Sequence, residues 1–490
     1  MKYAGFITTI VVAALAMTAC APVQVYHPKP IAPALTAERL EGRSLSDPQL
    51  RRFMEVNLGR PLKTWPLKSW NLNELALAAY YFNPQMQVAR DRAEAAEAAI
   101  VTAGERPNPT VSLRPGIPSP YLLSLFFDVP VQTAGRRGYK VKQAGALSQA
   151  ARFNVPLTAW KVRSAVRAAL VNYLFDLRQA ELAAAATRLQ ARRVNGLHTQ
   201  WVAGEIARPT VVSAKATFFN DQMAARAAEG RVLQDRAALA AAIGVPVFAL
   251  RGIRLRWPGF AQLPSAASLP PRRIQRDAVL NRLDVRQALA NYAAAQAGLQ
   301  LEIARQHPNF QVGSGYDFEE GRNYFVTDLA AVLPIFNRNQ GPIAQAEAAR
   351  KLAAAQLMAV QARAISQSEA ALASYRTALA EWKNAEKSTH EIRRILVPLA
   401  KQSVTVGETN WLALNSAQLQ ELTAASAALQ SLGRAQQSLG QLEDAVERPL
   451  EAGEAAPAFR RVRAPTTPGN KQNDSGQPEA RVRQIGRDIR

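Results

Sequence analysis

Hydrophobic residues recur along this chain at two periods, and each change of period marks a boundary. From Leu72 to Glu105, Ala, Leu and Val fall at helical spacing, interrupted near Asn83-Pro84 and stopped by Gly104 and Pro107. Over Thr110 to Arg114 and Tyr121 to Val131 the period shortens to two. Leu123, Leu125, Phe127 and Val129 share one face, and Ser124 and Asp128 the other, which predicts a β-hairpin with an apolar and a more polar side. Helical spacing resumes from about Arg137 to Trp201, with Val162, Val166, Ala169, Tyr173 and Leu177 in one stripe. Pro156 lies inside that run and is expected to kink or loosen it. Roughly 65 residues at 1.5 Å each make a rod of about 95 Å, longer than a single globular core needs. The rod turns at Gly204-Glu205-Ile206-Ala207-Arg208-Pro209 and returns from Thr210 to about Ile243. Pro246 to Pro271 is non-helical, broken by Pro258, Pro264 and Pro270.

The same succession then begins again. Asn83-Pro84 has a counterpart in Arg282-Leu283-Asp284-Val285, Arg106-Pro107 in His307-Pro308, Val129-Pro130-Val131 in Leu333-Pro334-Ile335, and Gly204-Glu205 in Gly407-Glu408. These landmarks keep an offset of 199 to 204 residues. In the second copy two strand-like runs between His307 and Gly341 flank the turn Glu319-Glu320-Gly321-Arg322. A final helix from about Asn410 to Glu447 carries the stripe Leu422, Leu429, Leu432, Leu439 and Leu442.

The ends differ from this middle. Met1 to Cys20 has a basic start at Lys2, an apolar run to Met17, and Met17-Thr18-Ala19-Cys20, similar to a bacterial lipoprotein signal with Met17 in place of the usual leucine. On that reading Cys20, the only cysteine of the chain, becomes the acylated first mature residue, and Ala21 after it fits an outer-membrane address. The alternative is an ordinary secretory signal with an incidental cysteine. Ala21 to Trp70 is a Pro-rich arm with a short helix around Asp47 to Leu58, Asp47 capping and Pro48 at its first turn. Arg448 to Arg490 lacks periodicity and reads as a basic, disordered tail. The expected division is a signal peptide over 1–19, an arm over 20–70, a first repeat over 71–245, a connection over 246–272, a second repeat over 273–447 and a tail over 448–490.

Composition supports long packed helices over several compact cores, since aromatics are few and charges are spread along the helical runs. The net charge of +22 would raise nucleic acid as a partner, but an exported chain does not meet it. No phosphate loop, nucleophile elbow, zinc-protease helix or paired-cysteine motif is present, so neither enzyme activity nor a cofactor is expected. The four histidines form no cluster with metal-ligand spacing. In an exported protein, four strands cannot close a membrane barrel alone, so several copies must combine.

Residues 71 to 447 resemble the TolC-like outer membrane efflux protein family. The resemblance rests on Asn83-Pro84, on Arg282 with Asp284-Val285, on Leu333-Pro334-Ile335-Phe336 followed by Gly341, and on the tips at Gly204 and Gly407. It implies a mainly α, α+β chain of two tandem repeats of helix, β-hairpin and long helical hairpin. It also implies a homotrimer, in which a shared twelve-stranded outer-membrane β-barrel is continued by a periplasmic α-helical barrel. The implied function is the exit duct of a tripartite efflux system, with a periplasmic adaptor (membrane fusion) protein and an inner-membrane RND pump; the alternatives are a type I secretion channel fed by an ABC transporter, or a periplasmic coiled-coil adaptor. Asp128-Val129-Pro130-Val131 followed by Gly135-Arg136-Arg137 is similar to the cation-efflux branch, so the cargo is expected to be drugs or metal cations. The resemblance places adaptor docking at the tips, on Gly204, Glu205, Arg208, Gly407, Glu408, Thr409 and Asn410. The alternative is that these residues only turn the chain. Where the family's entrance aspartates stand, this sequence has Ala413 and Ser416.

Overall fold

The computed structural model describes residues 25–116 and 122–450; the leader, Cys20, the tip of the first hairpin and the tail from residue 451 lie outside them. Residues 25–44 belong to a unit of their own with one helix, α1 (Pro33–Glu41). The second unit starts at Leu45. Its first helix, α2 (Pro48–Leu58), opens as expected: the Asp47 carboxylate accepts from the Gln49 N–H, with Pro48 in the first turn. A two-residue strand β1 (Ser69–Trp70) leads into α3 (Leu72–Phe82), where Asn71 and Glu74 form a reciprocal capping box. Pro84 then starts α4 (Pro84–Gly104), with Asn83 both closing α3 and capping α4.

The hairpin strands β2 (Thr110–Gly116) and β3 (Leu122–Val131) follow, and then α5 (Arg136–Val202), 67 residues long, and α6 (Arg208–Ile243). The helix does not break at Pro156. Leu157, Ala159 and Trp160 are buried just beyond it, and this packing holds the backbone helical against the local preference of proline. The connection contains β4 (Arg254–Leu255), which pairs parallel with β1. Helices α7 (Pro271–Asn281) and α8 (Leu283–Ala304) come next, and after them the strands β5 (Phe310–Glu319) and β6 (Arg322–Ala331). The second rod is α9 (Gln340–Glu391), a π-helical turn at Ile392–Leu396, and α10 (Val397–Thr405). The chain returns through α11 (Trp411–Val446).

These helices lie side by side as a wall. Next to the sheet the order of packed neighbours is α4, α5, α8, α9; towards the turns it is α6, α5, α11, α9. Two apolar cores hold the wall where the returning helices end. One gathers Trp70, Leu75, Val166, Leu170, Leu239 and Ile243, and the other Ile274, Leu372, Tyr375, Leu439, Leu442 and Val446. Each returning helix is also pinned by a polar residue ahead of its hairpin. Asn83 Nδ2 donates to the Ala242 carbonyl at 2.9 Å, and Arg282 Nη1 donates to the Ala445 carbonyl at 3.1 Å while its fork grips Asp284.

Between the two cores α5 meets α11 through buried charge. Glu443 is 0% exposed, and its Oε2 lies 3.2 Å from both Arg163 Nη1 and Arg167 Nε. Arg167 also donates to the backbone and side-chain oxygens of Gln436, both at 2.8 Å, and Gln436 donates to the Phe260 carbonyl. The two guanidinium groups lie over the rings of Trp160 and Trp257. Removing one member of such a group leaves charge buried without its partner, at a cost of about 3–5 kcal/mol. Glu443→Gln is therefore expected to lower the thermal unfolding midpoint of the purified protein, and an unchanged midpoint would show that the two arginines are neutralised elsewhere.

Closer to the turns, Asp235 on α6 faces Asp176 on α5. Burial, and then the neighbouring Asp176, push its carboxyl up to about 6, although Arg231, 3.1 Å from Asp176, opposes the shift. A folded value above the unfolded one means that the folded state binds more protons in between. Stability then falls as pH rises from about 4 to about 6. Asp235→Asn should raise the unfolding midpoint at neutral pH and leave it unchanged in acid; an equal gain at both would contradict the assignment.

Candidate functional site

The four long strands form one antiparallel sheet in the order β2-β3-β5-β6, so β2 and β6 each keep a free edge. Glu319 pairs with Arg322, which leaves Glu320 and Gly321 as a two-residue turn with φ of +50° and +76°, the mirror-image geometry that suits the strand twist. Register assigns the faces, because directly paired residues point the same way. Leu113, Leu125, Tyr316 and Phe325 share a rung; so do Val129, Val312 and Leu329. This face is mainly apolar, with Ser314, Thr327 and Asn323 as its polar members, and Phe325 on it is 90% exposed. The opposite face carries Ser112, Arg114, Ser124, Asp317 and, on one rung, Thr110, Asp128, Gly313 and Asp328. Gly313 and Gly315 are needed there, because a Cβ at either would collide with Asp128 or Phe126.

The sheet is joined firmly to the helices below it. Arg136, from the motif after the first hairpin, donates to the carbonyls of Ala304, Arg305 and His307, where α8 ends. A cation at a helix C-terminus satisfies its last carbonyls and its dipole together. Thr133 donates to the Pro308 carbonyl, so His307-Pro308 is a structural corner.

At the far end, both turns have the same construction. Gly204 and Gly407 have φ of +78° and +80°, and the next amide reaches back five residues, Glu205 to Gln200 and Glu408 to Ser403, both at 2.9 Å. Asn410 caps α11 by accepting from the Leu412 N–H at 3.1 Å. Gly204, Glu205, Arg208, Gly407, Glu408, Thr409 and Asn410 are all exposed. The two turns lie at one end of the molecule, because Leu412 packs against Leu197, Val211 and Ala214 of the first rod pair. Cys20 lies outside the described residues. Among the described residues no group of acidic, His or Cys side chains could hold a metal, and no helix is long and apolar enough to cross a membrane.

Sequence reading missed one contact that links the turns. Trp411 seats its ring on Gly196 of α5, where any Cβ would collide with the indole, and Asn415 nearby donates to the Leu189 carbonyl. The only signal was a lone glycine within a helical run. Gly196→Ala should release Trp411, which would appear as stronger quenching of tryptophan fluorescence by an aqueous quencher; unchanged quenching would mean the helices shift without separating.

With this geometry in view, no family model matches the chain. The cobalt-zinc-cadmium resistance protein CzcC of Cupriavidus metallidurans is 25% identical over 218 residues, which are 44% of this chain and 50% of that protein. The match thus spans about half the length of that curated relative. Among solved structures, the outer-membrane channel OprN superposes with a TM-score of 0.64 at 17% identity, over 87% of this chain and 99% of that one. The outer membrane protein VceC of Vibrio cholerae superposes with a TM-score of 0.62 at 18% identity, over 78% of this chain and 97% of that one. The chain therefore shares the fold of these outer-membrane proteins.

Proposed function

We propose that the protein is the outer membrane channel of a tripartite efflux pump of the RND type, a passive exit duct carrying drugs or metal cations from periplasm to exterior. The observation that carries this reading is the sheet with an apolar face, a polar face and two free edges, whose strand order continues directly into the helical wall. In a bilayer a free strand edge is prohibitively costly, so β2 of one copy must pair with β6 of the next. Three copies supply twelve strands, within the range of known barrels. The apolar face with Phe325 then meets lipid, and the face with Asp128 and Asp328 lines water.

The helical edges fit the same seam. Val101 on α4 and Val212, Phe219 and Met223 on α6 are exposed on one border of the wall, and Leu352 and Met358 on α9 on the other. Exposed apolar residues at both borders are what a ring of copies would cover. Cys20 anchors the chain in the outer membrane, the turns around Gly204 and Gly407 dock the adaptor, and the inner-membrane pump supplies the energy. The name of CzcC favours metal cations among the cargoes.

The seam can be tested by placing a cysteine at Val111 on β2 and, in turn, at Thr327, Leu329 or Ala331 on β6. Oxidation is expected to yield covalent dimers and trimers from one of these pairs and from neither single variant. The same strain, with its own channel deleted, should regain several-fold resistance to a pump substrate. Monomers from every pair, together with unaltered susceptibility, would overturn the reading.

A further inference from the structure

Below the sheet lies a collar of cations and exposed apolar side chains that the channel reading does not use. Between Asp128 and Asp176 the chain has no acidic residue, and the first turns of α5 carry Arg136, Arg137, Lys140 and Lys142. Arg136 is committed to the carbonyls that end α8, whereas Arg137 and Lys142 are exposed. Lys142 lies 5.4 Å from the ring centre of Tyr139. Across the end of α8, the segment after β6 exposes Val332, Leu333, Ile335 and Phe336, the last at 97%. Of these, Ile335 and Phe336 line a groove of ≈ 570 Å³ together with Gln306, Arg338, Gln340, Ile343, Ala344 and Glu347.

We propose that this collar binds anionic phospholipid of the membrane leaflet into which the lower rim of the barrel fits, with Arg137, Lys142 and Arg338 on the phosphates and Ile335 and Phe336 among the upper acyl chains. The proposal rests on the channel reading, since it takes the apolar sheet face to be the lipid-facing one. Two observations select a lipid surface as the occupant. The exposed apolar side chains follow β6 directly in the chain, just past the strand ends Val131 and Ala331, where on the channel reading the sheet passes from hydrocarbon to headgroups. The cations sit at that same level, where phosphate is the complementary charge. Aromatic side chains at such a rim occupy the headgroup layer with one apolar and one wet end, and Lys and Arg reach past them towards phosphate. Each cation held near an anionic surface strengthens binding by roughly fivefold.

The test uses the full chain in nanodiscs of phosphatidylcholine alone or mixed with phosphatidylglycerol. Phosphatidylglycerol should raise the unfolding midpoint of the wild type by several degrees, and added salt should shrink that rise. The combined variant Arg137→Gln, Lys142→Gln, Arg338→Gln should lose most of the rise while matching wild type in phosphatidylcholine alone. Phe336→Ser should keep the trimer and retain several-fold less phosphatidylglycerol by native mass spectrometry. An equal rise in wild type and combined variant, or a rise indifferent to salt, overturns the collar. Dissociation of Phe336→Ser into monomers overturns it as well, by assigning this surface to a second copy. Failure to enter any bilayer would instead refute the channel reading, whereas insertion with no response to phosphatidylglycerol would refute the collar alone.

Discussion

A sheet of four strands cannot satisfy its own outer backbone groups, and that constraint organises everything else in this chain. Its order β2-β3-β5-β6 leaves the N–H and C=O groups on the outer sides of β2 and β6 without strand partners. Within hydrocarbon no water can take their place, so on the proposed channel reading the edges are answered by another copy of the same sheet. The demand passes down the molecule because each strand is joined to a helix. Strands β2, β3, β5 and β6 connect to α4, α5, α8 and α9, which pack in that same order. A register set in the sheet is thereby carried into the wall.

The rigidity this needs comes from a few polar anchors set in Ala-rich packing. Asn83 on Ala242 and Arg282 on Ala445 make corresponding joints with different chemistry, a neutral amide in one and a bidentate guanidinium in the other. The Arg282 joint is the more heavily charged: Asp284 and Glu447 both attend it, and burial raises the Glu447 carboxyl above its ordinary value while that carboxylate accepts from the Leu283 N–H. The Arg163, Arg167 and Glu443 group instead ties α5 of the first half to α11 of the second. Similar element order therefore does not mean identical energetics.

Sequence reading succeeded where one residue type dictates one backbone shape. Pro84, Gly204, Gly321 and Gly407 punctuate the chain as expected, since a fixed φ or a positive φ leaves few alternatives. It failed where a side chain's role depends on a distant partner. Nothing in their spacing sets Arg163, Arg167 and Glu443 apart from the other charges spread along the helical runs, yet they are among the most buried of the described residues. The π-helical turn at Ile392–Leu396 stands just ahead of Pro398, whose ring and missing N–H exclude the α-helical bond to the Arg394 carbonyl. Both alternating sets of β6 are largely apolar in sequence, and pairing with β5 makes the set with Phe325 and Leu329 continuous with Tyr316 and Val312.

This division between local punctuation and distant partners also explains how a fold can superpose over 87% of the chain at 17% identity. Most positions in a long packed helix ask only for a small or apolar residue at the right period, and many sequences meet that demand. Substitutions spread freely across such positions without moving the backbone. What must stay is sparse: positive φ at the turns, room for Trp411 on Gly196, room for Phe126 and Asp128 over Gly315 and Gly313, and a counter-charge for each buried arginine. A wall built this way keeps its shape while its exposed surfaces are free to change. On the proposed reading, those surfaces, the turns and the collar, are where contacts with adaptor and lipid differ from one channel to the next.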